Sequence, residues 1–430
     1  MKHTAILRAT GVSAAAFLLA GSLVSCSGSE GGDSESKVLR VTLANHVWTD
    51  IVKDAIPEFE EETGYTVELT QLGEDQLSDQ YNVKLNAGTG DIDVMMYRPQ
   101  QETKLFAQNG YFADLTDKVT ENSDWNWDDF QEGPVSLVTA DEQVVGVPII
   151  TEREVLYYRK DLLEAAGLEV PKTIDELEAA AKQISETTDV AGFVARTGRA
   201  AAVTQFSSFL ASYGGEFIDE DGNSAVGTDE AKEAYAMYGN LIHNYGPENV
   251  STDMSWPEAM AIFTQGNAAF YTEADSLYKN ATEEANSSVA DSVGFAQFPA
   301  GPAGSKPYNV AAWALGVNSE SGNQDAAWQF IEWATSKEKV LEIQQAGVPG
   351  PRESVWDDPA GTESFPADLA EAMAASSKVG VGFDRPLVIN VAEAREIVGN
   401  PIVVGITGGD TDAAADEAND KFQAFLEDEQ

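Results

Sequence analysis

From Val38 onward, short apolar and β-branched runs alternate with stretches whose apolar residues recur every three or four positions. Val38–Ala44 reads as a strand. Ile51, Ala55 and Phe59 then fall on one face of a helix, Ile51–Thr63, that Gly64 stops. Tyr65–Gln71 and Asp91–Tyr97 read as further strands. Thr173-Ile174-Asp175-Glu176 is a capping box opening a helix that runs through Ser185. Thr228 opens a longer helix, with Ala231, Ala234, Tyr235, Tyr238, Leu241 and Ile242 on its apolar side and Gly246 at its end. Asn323 begins a helix carrying Trp328, Phe330, Ile331 and Trp333, and Ser336 starts the next. Thr411 opens the last, with Ala415, Ala418, Phe422 and Phe425 on one side. Such alternation predicts an α/β architecture built on largely parallel sheets. In those sheets ligands bind at the carboxyl ends of strands, so the loops that follow strands are the places to search. No internal repeat of 20–50 residues is visible.

The segment before this body has a different character. Lys2, His3 and Arg8 precede an apolar run from Val12 through Ala20 and then small residues, the three-part layout of an export signal over residues 1–25. The run is too short to span a bilayer as a helix. Leu23-Val24-Ser25-Cys26 resembles the bacterial lipobox, which implies a lipid on Cys26. Residues 26–37 then read as a flexible tether, since Ser27 through Ser36 includes no apolar side chain. The expected location is the extracytoplasmic face of the cell membrane, held there by the lipid alone.

Length and charge narrow the rest. At 430 residues the chain suits two or three domains. It holds 72 acidic against 26 basic residues, a formal −46, and −48 once residues 1–25 with Lys2 and Arg8 are removed. A phosphate backbone would be repelled, which excludes nucleic acid as a partner. An anionic membrane surface would be repelled as well, hence the need for an anchor. One cysteine allows no intramolecular disulfide, and three histidines leave little for zinc.

Enzyme motifs are not found. There is no G-x-S-x-G elbow, P-loop or H-E-x-x-H, and Gly88-Thr89-Gly90 precedes a strand instead of following one. Asp219-Glu220-Asp221-Gly222-Asn223 places its glycine fourth instead of sixth, so it reads as a turn and not a calcium loop. No catalytic residue, cofactor or metal is expected.

Four stretches together resemble the extracellular solute-binding proteins of carbohydrate ABC importers, the family of maltose-binding and sugar-alcohol-binding receptors. They are Ile56–Val67 (IPEFEEETGYTV), Asp91–Tyr97 with Gly110–Leu115, Val147–Leu162 (VPIITEREVLYYRKDL), and Phe263 through Gly266–Phe270 on to Trp313–Trp333. The resemblance implies a monomer of two α/β lobes, the periplasmic-binding-protein-like fold of type II, with a carbohydrate in the cleft between them. It also implies permease subunits of an importer as partners. By analogy the chain crosses near Ile149–Glu154, Val293–Phe298 and Ser336. Lobe one is then 38–150 plus 297–336, and lobe two 151–296 plus 337–430.

Sugar hydroxyls need directed donors and acceptors, and the C–H faces of a ring favour an aromatic platform. The loop after the first strand offers Asn45, His46 and Trp48. Arg98, Gln100 and Gln101 match a ligand-facing loop of the family, and Glu152 aligns with a carboxylate that contacts sugar in relatives. Arg153 also falls in this stretch, although Arg153 and Glu154 depart from the small residues of the sugar-alcohol receptors. Strand parity puts Tyr271, Glu273 and Asp275 on one face. Trp313 comes from a later strand, Arg352 from a loop at the cleft mouth, and Arg385 is a further candidate. Each has a plainer reading. Trp328 and Trp333 belong to a core, Trp313 suits a core as well as a platform, and Trp48 suits a helix staple. The arginines Arg98, Arg153 and Arg352 have acids near them in sequence, Glu102, Glu154 and Glu353, with which to pair. The competing function is a lipid-anchored glycoside hydrolase, which requires two carboxyl groups about 5–9.5 Å apart.

Overall fold

The computed structural model describes residues 37–429, so the expected signal and Cys26 lie outside the described residues. Among the described residues there are ten strands: β1 Val38–Ala44, β2 Thr66–Leu72, β3 Val94–Tyr97, β4 Thr139–Ala140, β5 Gln143–Val144, β6 Val147–Arg159, β7 Ala191–Val194, β8 Ala268–Ala274, β9 Val293–Gln297 and β10 Asn309–Val317. The hairpin β4–β5 stands apart, and the rest run in the order β2-β1-β3-β10-β6-β8-β7, with β9 also on β6. The α/β class is as expected, but the sheets are mixed. Only β2-β1-β3 and β7-β8 are parallel, while β10 and β6 run antiparallel to their neighbours.

β6 is the pivotal element. Its first half, through Arg153, pairs with β10, and from Glu154 onward it pairs with β8 and β9. One strand therefore belongs to two sheets. Its side chains also alternate between cores, as strand parity demands. Val155 and Tyr157 enter one cluster with Tyr271, Phe263 and Phe295, whereas Leu156 enters another with Phe193, Phe206 and Phe270. A separate core holds Leu39, Val41, Met95, Ile149, Trp313 and the inner face of the helix Gln324–Ala334. Trp328 lies in that core and Trp333 packs against it, as their helical spacing suggested. The next helix, Lys337–Gln345, contributes Ile343 to the same core.

Caps were the most legible local signals. Thr173 and Glu176 form the reciprocal box, and Thr228 and Ser336 accept backbone N–H groups at their helix starts. The helix expected from Ile51 begins a turn earlier, at Val47. Its N-cap is His46, whose Nδ1 accepts the Trp48 N–H at 3.0 Å. That start carries Trp48 inward, where it is 1% exposed in the first core. Trp48 is a core residue and not a sugar platform.

Candidate functional site

A cavity of about 390 Å³ opens where β6 passes from one sheet to the other. One wall carries His46, Val47, Ile150 and Trp313, and continues through residues 346–349. The opposite wall carries Arg196, Trp256, Ala274, Ser276, Leu277 and Lys279, and Glu152 on β6 lies between the two. Trp313 reaches this position through an irregularity in β10. The register with β6 shifts on either side of Trp313, as at a β-bulge that re-aims a side chain. Val47 and Trp256 are 57% and 37% exposed, and so rank among the few large apolar side chains left open to solvent. A larger groove of about 540 Å³, between Lys104, Gln108, Asp141, Leu387 and Glu429, has no aromatic wall. The carbohydrate expected from the sequence resemblance would need both ring faces and directed polar groups, so the smaller cavity is the candidate.

The polar groups there are tightly held. The Ser276 hydroxyl donates to Glu152 Oε1 at 2.6 Å. Burial raises the Glu152 carboxyl to about 7; Ser276 and Arg196 oppose the rise, while Asp275 and Glu273 add to it. Burial likewise lowers His46 to about 4 against the pull of Asp50, so its ring is neutral at pH 7. Because Nδ1 accepts from the backbone, the neutral ring carries its proton on Nε2. Arg196 grips Glu273 with two N–H groups, Nε to Oε2 at 2.9 Å and Nη2 to Oε1 at 2.5 Å. Burial works against that guanidinium charge, but Glu273 outweighs it and keeps Arg196 protonated.

Of the residues proposed from sequence, the structure brings His46, Glu152 and Trp313 into the cavity wall. The others go elsewhere. Asn45 is exposed beside the cavity, its N–H on the Leu72 carbonyl. Arg98 caps the helix Pro99–Gln108 and pairs with Glu102, the plainer reading given above. Gln100 Oε1 accepts the Asp384 N–H at 3.0 Å, and Gln101 does not line the cavity. Arg153 is fully buried on Asp275, with Nε to Oδ2 at 2.6 Å and its guanidinium 4.6 Å from the Trp356 ring. Its partner is thus Asp275 and not Glu154. Tyr271, Glu273 and Asp275 are buried too. Tyr271 donates to Glu273 at 2.7 Å, so these two share a face, but it points into protein. The strand ends at Ala274 and Asp275 opens a short turn of helix, so strand parity does not extend to it. Arg352 is a strut: it reaches Asp129 and the carbonyls of Trp125, Asn126 and Thr335, with its guanidinium 4.2 Å from Phe130. Arg385 pairs with Asp384, the next residue back.

Comparison with known proteins places this geometry. Residues 46–340 match the model of the bacterial extracellular solute-binding protein family, well over half the chain. The chain belongs to that family. Among its relatives, the erythritol/L-threitol-binding protein of Mycolicibacterium smegmatis is 24% identical over 347 residues, 75% of this chain and 72% of the relative. The mannitol-binding protein of Pseudomonas aeruginosa is 26% identical, over 62% of this chain and 67% of its own. Among solved structures, a ribitol complex from Agrobacterium radiobacter superposes with a TM-score of 0.75 at 26% identity, covering 90% of this chain and 98% of that one. A maltose-bound MalE3 from T. maritima gives 0.74 at 28% identity, covering 90% and 100%. This solute-binding protein therefore has the two-lobed architecture of such receptors.

Sequence reasoning missed Arg196, Trp256, Ser276 and Lys279, all on the second wall of the solute-binding protein. Arg196 follows the short strand β7 and is the first polar residue after it, which is the loop position the strand-end rule singles out. Trp256 opens a helix behind the Ser255–Glu258 capping box, so it looked like an ordinary helix start.

Proposed function

We propose that this protein captures a carbohydrate, a sugar or a sugar alcohol, in the cavity between its lobes and delivers it to the permease subunits of an ABC importer. The observation that carries the reading is the pair of tryptophans, Trp313 and Trp256, on opposite walls of one cavity, with Glu152 between the walls and Arg196 beside Trp256. Ring faces and directed polar groups then meet a single solute from both sides. A solute touching both walls favours the closed arrangement and shifts the population toward it. Lobe one as 38–150 plus 297–336 and lobe two as 151–296 plus 337–430 follow from the crossings. The contribution of Ile343 to the first core favours moving the third crossing beyond the helix Lys337–Gln345.

Capture without chemistry is favoured over hydrolysis. Glu152 faces the cavity, but the acids that act on it, Glu273 and Asp275, are each tied to an arginine. A second free carboxyl at glycosidase spacing is what hydrolysis requires. Calorimetry on the purified protein is expected to show reversible binding of a sugar or polyol, and chromatography to return it unchanged. New products after prolonged incubation would support the hydrolase instead.

Tethering by a lipid on Cys26 completes the proposal, with the body held as a monomer on the extracytoplasmic face. Replacement Cys26→Ala is expected to move the protein to the soluble fraction. Continued sedimentation with membranes would rule the anchor out.

A further inference from the structure

Cations are scarce in this chain, yet two of them line the cavity. A protein of formal −46 places two cations, Arg196 and Lys279, on one wall of a space of about 390 Å³. Arg196 is fixed on three sides. Its backbone N–H donates to Gln205, its carbonyl accepts from Tyr238, and its Nε and Nη2 hold Glu273. Glu273 in turn accepts from Tyr271 and from the Ala274 N–H, so four donors already surround that carboxylate. The remaining nitrogen, Nη1, makes no hydrogen bond among the described residues, and it is not one of the buried polar atoms that lack a partner. It is therefore open on the cavity side. Lys279 stands at the mouth with its ammonium on the Ala346 carbonyl at 3.3 Å, and it meets no carboxylate among the described residues. Gly347 beside it adopts φ +91°, and a Cβ there would lie 3.0 Å from Lys279 Nζ, so the glycine leaves room for the ammonium at this point.

We propose that the solute is a carboxylated sugar of one unit, its carboxylate against the free edge of Arg196 and under Lys279. This rests on the capture reading above. A neutral solute would leave the Lys279 ammonium without a counter-charge and give the Nη1 edge of Arg196, whose other edge Glu273 already holds, only neutral acceptors; a carboxylate supplies both needs with directed oxygens. A single negative charge fits better than the double charge of a phosphate ester, since Glu152 shares the cavity. Trp256 and Trp313 supply the faces for the ring or carbon chain, and Glu152 and His46 supply partners for hydroxyls.

The test pairs each acid with its neutral counterpart on the purified protein: D-glucuronate with D-glucose, D-galacturonate with D-galactose, and D-gluconate with D-glucitol. Titration calorimetry is expected to show at least one acid binding about tenfold or more tighter than its partner, roughly one charge-assisted hydrogen bond. That ratio is expected to collapse in Arg196→Lys, which keeps a cation on Glu273 but removes the free edge, and to fall in Lys279→Gln at the exposed mouth. Neutral members binding as tightly as the acids would overturn the anionic class and leave carbohydrate capture standing. An acid preference unchanged in both variants would overturn the assignment to these residues. No binding of any of the acids would overturn this proposal alone; the capture reading falls only if calorimetry across sugars and polyols at large finds no ligand.

Discussion

At the residue scale, Glu154 is the clearest local cost. It lies on β6 directly after the residue where the strand changes sheets, fully buried, with both carboxyl oxygens lacking a hydrogen-bond partner. Burial pushes its carboxyl well above the ordinary range; Ser208 and Thr272 oppose the rise, Glu273 adds to it, and Arg196 opposes it. An acid raised in the folded state keeps a proton that the unfolded chain releases near pH 4.3. Stability therefore falls as pH rises from there toward the folded value. Glu154→Gln, which has no proton to retain, is expected to raise stability at pH 8 by about 1–2 kcal/mol, with the gain fading toward pH 4.5. Melting curves at both pH values check this, and a gain equal at the two would contradict it. The same scale explains why the arginines misled. Arg153 and Asp275 stand 122 positions apart, and Arg352 and Asp129 stand 223 apart, so no local pattern announces either pair.

Elements were more legible than partners. Caps are local, and the boxes at Thr173 and Ser255 and the cap at Thr228 form as any chain with those residues forms them. Pairing direction is not local: β10 runs antiparallel to β3 and β6 because the chain returns from elsewhere, which the largely parallel expectation overlooked. The loop carrying Arg352 illustrates what such long-range ties do. Its side chain gathers Trp125, Asn126, Asp129 and Thr335, and Gln131 N–H bonds the Pro351 carbonyl, so residues 350–354 are fastened to the first core. Arg352→Ala is expected to cost about 3–5 kcal/mol of unfolding free energy, as for a broken buried ion pair. Solute affinity of the folded protein is expected to change little. Denaturant unfolding with calorimetry on the variant reads both, and unchanged stability with strongly weakened binding would return Arg352 to the site.

Over the whole molecule, the two-lobed α/β fold was readable because family-like segments span most of the chain, and the match over residues 46–340 agrees with them. One wall of the cavity was readable too, through His46 and Trp313, with Glu152 between the walls. The second wall was not, because Trp256 begins a helix and Lys279 sits in a five-residue one, Tyr278–Thr282, with nothing in either pattern pointing at a cleft. Two hydrogen bonds reach toward residues tied to the first core, Lys279 to the Ala346 carbonyl and Asp384 N–H to Gln100, and both suit a closed arrangement. A solute held by both walls stabilises that arrangement over any open one. Small-angle X-ray scattering of the purified protein, titrated with the solute that calorimetry identifies, tests this most directly. The radius of gyration is expected to fall and to saturate at the calorimetric midpoint, and a scattering profile unchanged at full occupancy would contradict capture between two closing lobes.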